Sequence, residues 1–191
     1  MRWVRLIALF ALITAGVNAL PEEEGHVSLV PWKVLQPGET VDAPLALFWI
    51  PSSPDELRRS SLLTSDDLTH YSSRCVALRV VRFDDGARLA SLQVEATLPA
   101  VVLADREGRI LGVASGEEGT LRVSEVEELV RQELDARAGA ADLRIDKARR
   151  LADEGDEETA LALYRAVWDE RCLCPRQGRQ AQKAMRRLSR R

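Results

Sequence analysis

One short apolar run constrains the fold of this chain more than any other segment. Leu45–Ile50 reads LALFWI, contains no polar residue, and lies between Pro44 and Pro51. An uninterrupted apolar run of this length is typical of a β-strand that is buried on both faces, as in a sheet covered by helices on each side. The run therefore predicts a central strand of an α/β fold.

The residues that follow this strand predict an immediate helix start. Ser53 is a suitable N-cap, Pro54 suits the first helical position, and Glu56 completes the spacing of a capping box. Strand, sharp turn and helix are thus expected in direct succession.

Further along the chain, strand and helix patterns alternate. Cys75–Phe83 is rich in β-branched residues and predicts a strand, and Gly86–Leu92 predicts a short helix. Pro99–Asp105 and Arg109–Ser115 flank a glycine-containing turn and predict a hairpin. In Leu121–Ala138 the apolar residues recur at spacings of three and four, which predicts an amphipathic helix. The order β-α-β-α-β-β-α predicts a mixed sheet, with parallel first strands and an antiparallel hairpin.

That order, together with particular residues, resembles the thioredoxin fold. LALFWIPSSPDEL is similar to the strand and turn before the redox helix, and LASLQVEATLPAVVLADREGRILGVASG is similar to the later part with its proline loop and hairpin. The resemblance spans about half of the chain, from Leu45 to Leu134. It implies a three-layer α/β sandwich around a central mixed sheet, and it implies that Pro99 is a cis-proline facing the turn after the first strand. Only an X-Pro bond adopts the cis form at a cost as low as about 0.5–1 kcal/mol.

The redox residues of that fold are missing here. By the resemblance, the two active-site cysteines would fall at Ser53 and Glu56, and the buried carboxylate that assists proton transfer would fall at Leu47. No cysteine occurs before Cys75, so a shifted alignment changes nothing. We therefore expect a redox-inactive domain.

The groove that receives extended peptide in active relatives could still bind a peptide backbone by strand addition. By the resemblance, Ser53, Leu98 and Pro99 would line this groove, with Trp49 nearby.

A serine nucleophile at Ser52 or Ser53 is a weaker interpretation. A hydrolase needs a base within hydrogen-bond reach of the hydroxyl, and the chain has only His26, in an irregular leader, and His70, in an expected polar loop. These serines are better explained as helix caps.

The segment after Ala138 is expected to form a second unit. Gly139–Ala141 is expected to act as a hinge, and Lys147–Trp168 resembles the interior of a tetratricopeptide-type helical hairpin. Gly155 would end one helix and Asp156 would cap the next. Such repeats need about three units to be stable alone. The hairpin must therefore bury its apolar stripe on the preceding domain or on another protein.

The C-terminal end is strongly basic. Residues 171–191 contain eight Arg or Lys and no acid, whereas residues 20–170 contain 17 basic and 30 acidic residues. A final helix is expected over Gln177–Leu188. It is either a docking face for an acidic protein or anionic lipid, or a solvated helix that complements the acidic body. Nucleic acid is not expected, because the cationic residues are not interleaved with aromatics.

Three cysteines leave several possibilities open. Cys75 could form a disulfide with Cys172 or Cys174, Cys172 and Cys174 could form a redox-active pair, or the thiols could stay free. Nearby arginines are expected to lower the thiol pKa values. A metal site is not expected, because Cys172 and Cys174 have no further Cys or His close by in the sequence.

The N-terminal residues predict export. Arg2 and Arg5 precede the apolar run Leu6–Ala15, and Val17-Asn18-Ala19 fits a cleavage site after Ala19. The run is short against the roughly 20 residues that span a bilayer. Residues 1–19 are thus expected to be a signal peptide of a secreted or periplasmic protein that has no stable membrane insertion after cleavage.

The proline-rich residues 20–44 are expected to be an irregular leader with one short edge strand around His26–Val30.

Together these features predict a binding or scaffold protein without a cofactor, with a thioredoxin-like domain over residues 45–138 and a helical extension over residues 139–191. The partner is expected to be a protein or peptide, bound through the Pro99 groove or the basic C-terminal helix. The alternative is a thiol–disulfide oxidoreductase that uses Cys172 and Cys174.

The overall composition excludes two classes of protein. With 46% hydrophobic and 30% charged residues, the chain is neither membrane-embedded nor wholly disordered.

Overall fold

The computed structural model describes residues 29–94, 97–116 and 119–190. The expected signal peptide and its cleavage site lie outside these ranges. Within them the chain forms a mixed five-stranded sheet with helices on both sides, followed by a C-terminal helical region. At this level the α/β prediction is confirmed.

The sheet has the strand order β1-β3-β2-β4-β5. Parallel pairing joins β1 to β3 and β3 to β2, and antiparallel pairing joins β2 to β4 and β4 to β5. All six residues of β2 are buried, as the apolar run predicts. The strands are β1 (Lys33–Val34), β2 (Leu45–Ile50), β3 (Val76–Val80), β4 (Ala100–Asp105) and β5 (Ile110–Ser115).

The edge strand expected around His26–Val30 is placed differently. Leu29 and Val30 are not in a strand, His26–Ser28 lie outside the described residues, and the edge strand is Lys33–Val34. The Val30 N–H instead donates to the Leu63 carbonyl at 2.9 Å, in the 3₁₀ turn that precedes α2.

Six α-helices and one 3₁₀ turn complete the described structure. They are α1 (Pro54–Arg59), a 3₁₀ turn (Ser61–Leu63), α2 (Asp66–Ser72), α3 (Gly86–Ser91), α4 (Val123–Asp153), α5 (Glu157–Asp169) and α6 (Pro175–Leu188). The expectation of a polar loop around His70 is wrong, because His70 lies on α2. Ser65 caps this helix and Leu68 and Tyr71 bury its inner face.

Two apolar clusters cover the two faces of the sheet. On one face, Leu47 and Trp49 of β2 pack with residues of α2 and α4, and this cluster continues through α4 into α5 and α6. On the other face, Phe48 and Ile50 pack with residues around α3 and with Leu98. The period-2 alternation of a strand explains why neighbouring residues of β2 enter different clusters.

The hinge expected at Gly139–Ala141 is wrong. Helix α4 is continuous over 31 residues and passes through this segment. Ala141 is fully buried, and Ala is the best helix former, so burial and propensity offset the cost of about 1 kcal/mol for a helical glycine. The expected domain boundary at residue 138 thus falls inside one helix, and the separate folding of the two units stays a prediction.

The end of α4 matches the sequence analysis. Gly155 has a positive φ of 91° and follows the helix, a conformation that favours glycine. The Asp156 carboxylate then accepts a hydrogen bond from the Thr159 N–H at 3.1 Å and caps α5. Helix α5 packs between α4 and α6, so the extension buries its apolar stripe within the chain.

Candidate functional site

The register of the sheet brings most of the expected groove residues to one end. Ile50, the last residue of β2, pairs with Ala100, the first residue of β4. Ser53 follows β2 and Pro99 precedes β4, so both lie at this end, which we call the β2 carboxyl end. Cys75 lies at the opposite end, because Val76 pairs with Leu45.

The turn at the β2 carboxyl end is closed by capping hydrogen bonds. The Glu56 N–H donates to Ser53 Oγ at 3.2 Å, as expected of an N-cap. The Glu56 carboxylate accepts from the Ser52 N–H at 2.6 Å and from the Ser52 hydroxyl at 3.2 Å. The return bond of the capping box therefore comes from Ser52 rather than Ser53. Both serine side chains serve the turn, and neither forms a hydrogen bond with His70, the histidine among the described residues.

Leu98 and Pro99 lie at the same end of the sheet, directly before β4. The peptide bond between them is cis, the form that the resemblance implies. Pro99 is buried and its carbonyl accepts a hydrogen bond from the Gly116 N–H at 2.7 Å. Leu98 is half-buried and packs on the apolar cluster of Phe48 and Ile50. The rest of its surface is exposed to solvent.

Trp49 does not line the groove. Its side chain is 0% exposed and packs against Trp32, with 5.4 Å between the ring centroids. It points to the face covered by α2 and α4, whereas Leu98 belongs to the other face. The Trp32 Nε1–H donates to the Leu62 carbonyl, but Trp49 Nε1 has no hydrogen-bond partner among the described residues. Trp49 is a core residue that a peptide at the β2 carboxyl end would not touch.

The cysteines lie at the amino end of the parallel strands. Cys75 precedes β3 and forms a disulfide with Cys172 in the turn between α5 and α6, with 5.8 Å between the two Cα atoms. This is one of the pairings that the sequence left open. The Arg74 guanidinium donates to the Leu173 carbonyl beside the bond. Arg74 was not singled out in the sequence, because its partner lies 99 residues away.

Cys174 is a buried free thiol. Burial is the main cause that raises its pKa, Glu170 raises it further, and Arg74 and Arg137 lower it by less. The expectation that nearby arginines would lower the pKa is therefore wrong for Cys174, because desolvation of the thiolate outweighs the positive charges. The structure does not pair Cys172 with Cys174, since Cys172 is already bonded to Cys75.

The basic residues of α6 differ in their ion pairing from cationic residues of α4. Arg144 of α4 pairs with Glu170, and Arg137 pairs with Glu133. Within the described part of the chain, by contrast, no cationic residue of α6 forms an ion pair: Arg176, Arg179, Lys183, Arg186 and Arg187. A cavity of about 370 Å³ lies beside this helix, between α4, α5 and α6, with Tyr164 in its wall.

Comparisons with known proteins leave the family open. No known protein family matches the chain, and no curated protein matches it significantly in sequence.

Within residues 29–94, 97–116 and 119–190, no group of His, Cys, Asp and Glu has the arrangement of a metal site. Over the same residues no helix is long and apolar enough to cross a membrane.

Proposed function

We propose that the chain is an exported binding or scaffold protein with a thioredoxin-like domain that does not perform dithiol chemistry. The observation that carries the proposal is the division between the two ends of the sheet. The turn after the central strand contains Ser53 and Glu56 in capping hydrogen bonds, whereas every cysteine lies at the opposite end or on the extension. The strand order with its antiparallel hairpin is compatible with the proposed domain type.

The ligand of the proposed site is an extended peptide. It lies across the β2 carboxyl end, between the Ser53 turn and Leu98. Pro99 has no N–H and its carbonyl already accepts from Gly116, and Ala100 is paired on both sides within the sheet. The backbone hydrogen bonds of strand addition therefore come from Leu98, the residue before Pro99. The half-buried Leu98 side chain offers an apolar contact to a side chain of the peptide.

An NMR titration of the ¹⁵N-labelled chain with an unstructured apolar peptide tests this site. We expect the amide shifts to concentrate on Ser53, Leu98 and their neighbours. Leu98→Asp should abolish binding, whereas Leu143→Asp should not, because Leu143 is 73% exposed on α4 and outside the groove. Thermal unfolding of both variants checks that the fold is retained. Shifts confined to other surfaces would overturn the proposed groove.

Thiol–disulfide exchange through Cys172 and Cys174 is the second candidate. One observation favours it: Cys172 lines a cavity of about 470 Å³, through which a substrate thiol could approach. Attack of that thiolate on the Cys172 sulfur would form a mixed disulfide and release the Cys75 thiolate. Against it, burial raises the pKa of Cys174 and reduces its thiolate fraction.

An insulin-reduction assay separates the two candidates. The proposed binding protein has no activity in this assay. Activity in the wild type that is lost in Cys172→Ser would overturn the redox-inactive proposal and support the second candidate. Because Cys174 is fully buried and burial raises its pKa, it is expected to react with iodoacetamide at neutral pH only after unfolding in urea. Rapid labelling of the folded chain would contradict that expectation.

A further inference from the structure

The cavity between α4, α5 and α6 has an apolar floor. Its volume is about 370 Å³, and Ile145, Tyr164 and Leu188 line it with side chains that are each at most 9% exposed. Ala152 of α4 and Ala184 of α6 also line it, and their short side chains leave space between the helices. The volume falls in the usual range of small-molecule pockets, about 300–1,000 Å³.

The rim of the same cavity is charged. Arg149, Lys183 and Arg187 line the cavity and are exposed to solvent. Asp153 is the only acid among the lining residues. Arg149 already pairs with Asp146 at 3.1 Å, whereas Lys183 and Arg187 form no ion pair with any residue in the described ranges. The two acids offset two of the three cations, so one positive charge at the rim is left uncompensated.

A tyrosine hydroxyl connects the floor to the rim. Tyr164 is only 4% exposed, and its hydroxyl forms no hydrogen bond with any residue that the structure describes. Burial raises the pKa of Tyr164, and the charge of Arg149 lowers it, which places the hydroxyl near the cationic rim. The cavity therefore combines an apolar surface, an unpartnered hydroxyl and a single excess positive charge.

We propose that this cavity binds a small monoanion with an aliphatic chain, of the class of a free fatty carboxylate. Lys183 and Arg187 are one turn apart on α6 and hold the carboxylate together with the Tyr164 hydroxyl. The row formed by Ala184 and Leu188 lies about 100° further round the helix and receives the aliphatic chain. The inference goes beyond the proposed function and does not depend on the Pro99 groove.

Charge and shape favour this ligand over larger anions. A multiply charged anion would exceed the single excess charge of the rim and would be repelled by Asp153. A flat anionic membrane would contact Arg179, Arg186 and Arg190 on the exposed side of α6, but it would not reach the buried floor of the cavity. A small anionic amphiphile uses both the floor and the rim.

Isothermal titration calorimetry of the full chain with decanoate, below the concentration at which decanoate forms micelles, tests the proposal. We expect saturable binding with a negative heat-capacity change, the mark of apolar burial. Lys183→Gln combined with Arg187→Gln should weaken binding about tenfold or more, because the charged hydrogen bonds are lost. Arg179→Gln combined with Arg186→Gln removes the same charge from α6 outside the cavity lining and should change the affinity little. Equal losses in the two double variants, or no saturable binding by the wild type, would overturn the proposal.

Two further measurements separate the cavity from the positive charge around it. Ala184→Leu fills the cavity without changing its charge and should weaken decanoate binding, whereas Gln182→Leu adds a leucine to α6 outside the cavity lining and should not. Circular dichroism checks that both variants keep their helices, and undiminished binding by folded Ala184→Leu would contradict the proposed site. Flotation of the wild type with vesicles of an anionic phospholipid, in a chain that does not bind decanoate, would show that α6 is an electrostatic docking face only.

Discussion

The two ends of the central sheet use their polar and sulfur-containing residues in opposite ways. At the β2 carboxyl end, Ser53 and Glu56 are held in hydrogen bonds within one short turn. At the other end, Cys75 and Cys172 join segments that are 97 residues apart in the sequence. One end is organised by local contacts and the other by a long-range crosslink.

Under the proposed function, this difference separates binding from stability. The turn at Ser53 is partly exposed and contains no cysteine, so the proposed site would contact a ligand without dithiol chemistry. The disulfide connects the start of β3 to the turn before α6, and thereby fixes the helical extension to the sheet. Helix α4 runs from one end to the other and continues into the extension.

Loss of the crosslink should have the largest effect on stability. Replacing Cys75 and Cys172 together by Ser should lower the free energy of unfolding by about 2–4 kcal/mol, because a disulfide that closes a long loop restricts the unfolded chain. Urea unfolding under oxidising conditions measures this loss. Cys174→Ala is the control for removal of a cysteine without removal of the bond. If the double variant were as stable as the wild type, the bond would not hold the two regions together.

Loss of the serine cap should have a smaller effect at the opposite end. Ser53→Ala removes the acceptor for the Glu56 N–H and should cost about 1 kcal/mol, as for other N-caps. Ser52→Ala is a matched control, since it removes only an exposed side-chain bond and keeps the backbone bond to Glu56. The midpoints of urea unfolding compare the two. Equal losses in both variants would show that the cap does not organise this turn.

Local patterns in the sequence predicted much of the fold. The apolar run at Leu45–Ile50 matches β2 residue for residue, and the turn residues between the hairpin strands predicted β4 and β5. These elements follow from composition and spacing within a few residues. Helix α2 was missed because Leu68 and Tyr71 alone form its buried face, which is too short a pattern to give a clear helical period.

Features that depend on distant contacts could not be predicted. Trp49 was placed beside the groove, but every residue of β2 is apolar, so the sequence does not indicate which residue faces which layer. The cysteine pairing stayed open because its partners are far apart in the chain. The pKa of Cys174 was assigned the wrong direction because sequence neighbours reveal the nearby charge but not the depth of burial.

The smallest expected effect concerns α4, the element that connects the two ends. In a continuous helix, Gly139→Ala should raise the free energy of unfolding by about 0.8–1 kcal/mol, because Ala has the higher helix propensity and no neighbour lies within 4 Å of the added Cβ. A flexible hinge at this glycine would give no gain. Gly178→Ala is the contrasting control, since its Cβ would lie 2.4 Å from the Arg171 Cβ and should destabilise α6. Urea unfolding of both variants decides whether the two ends are joined by one rigid helix.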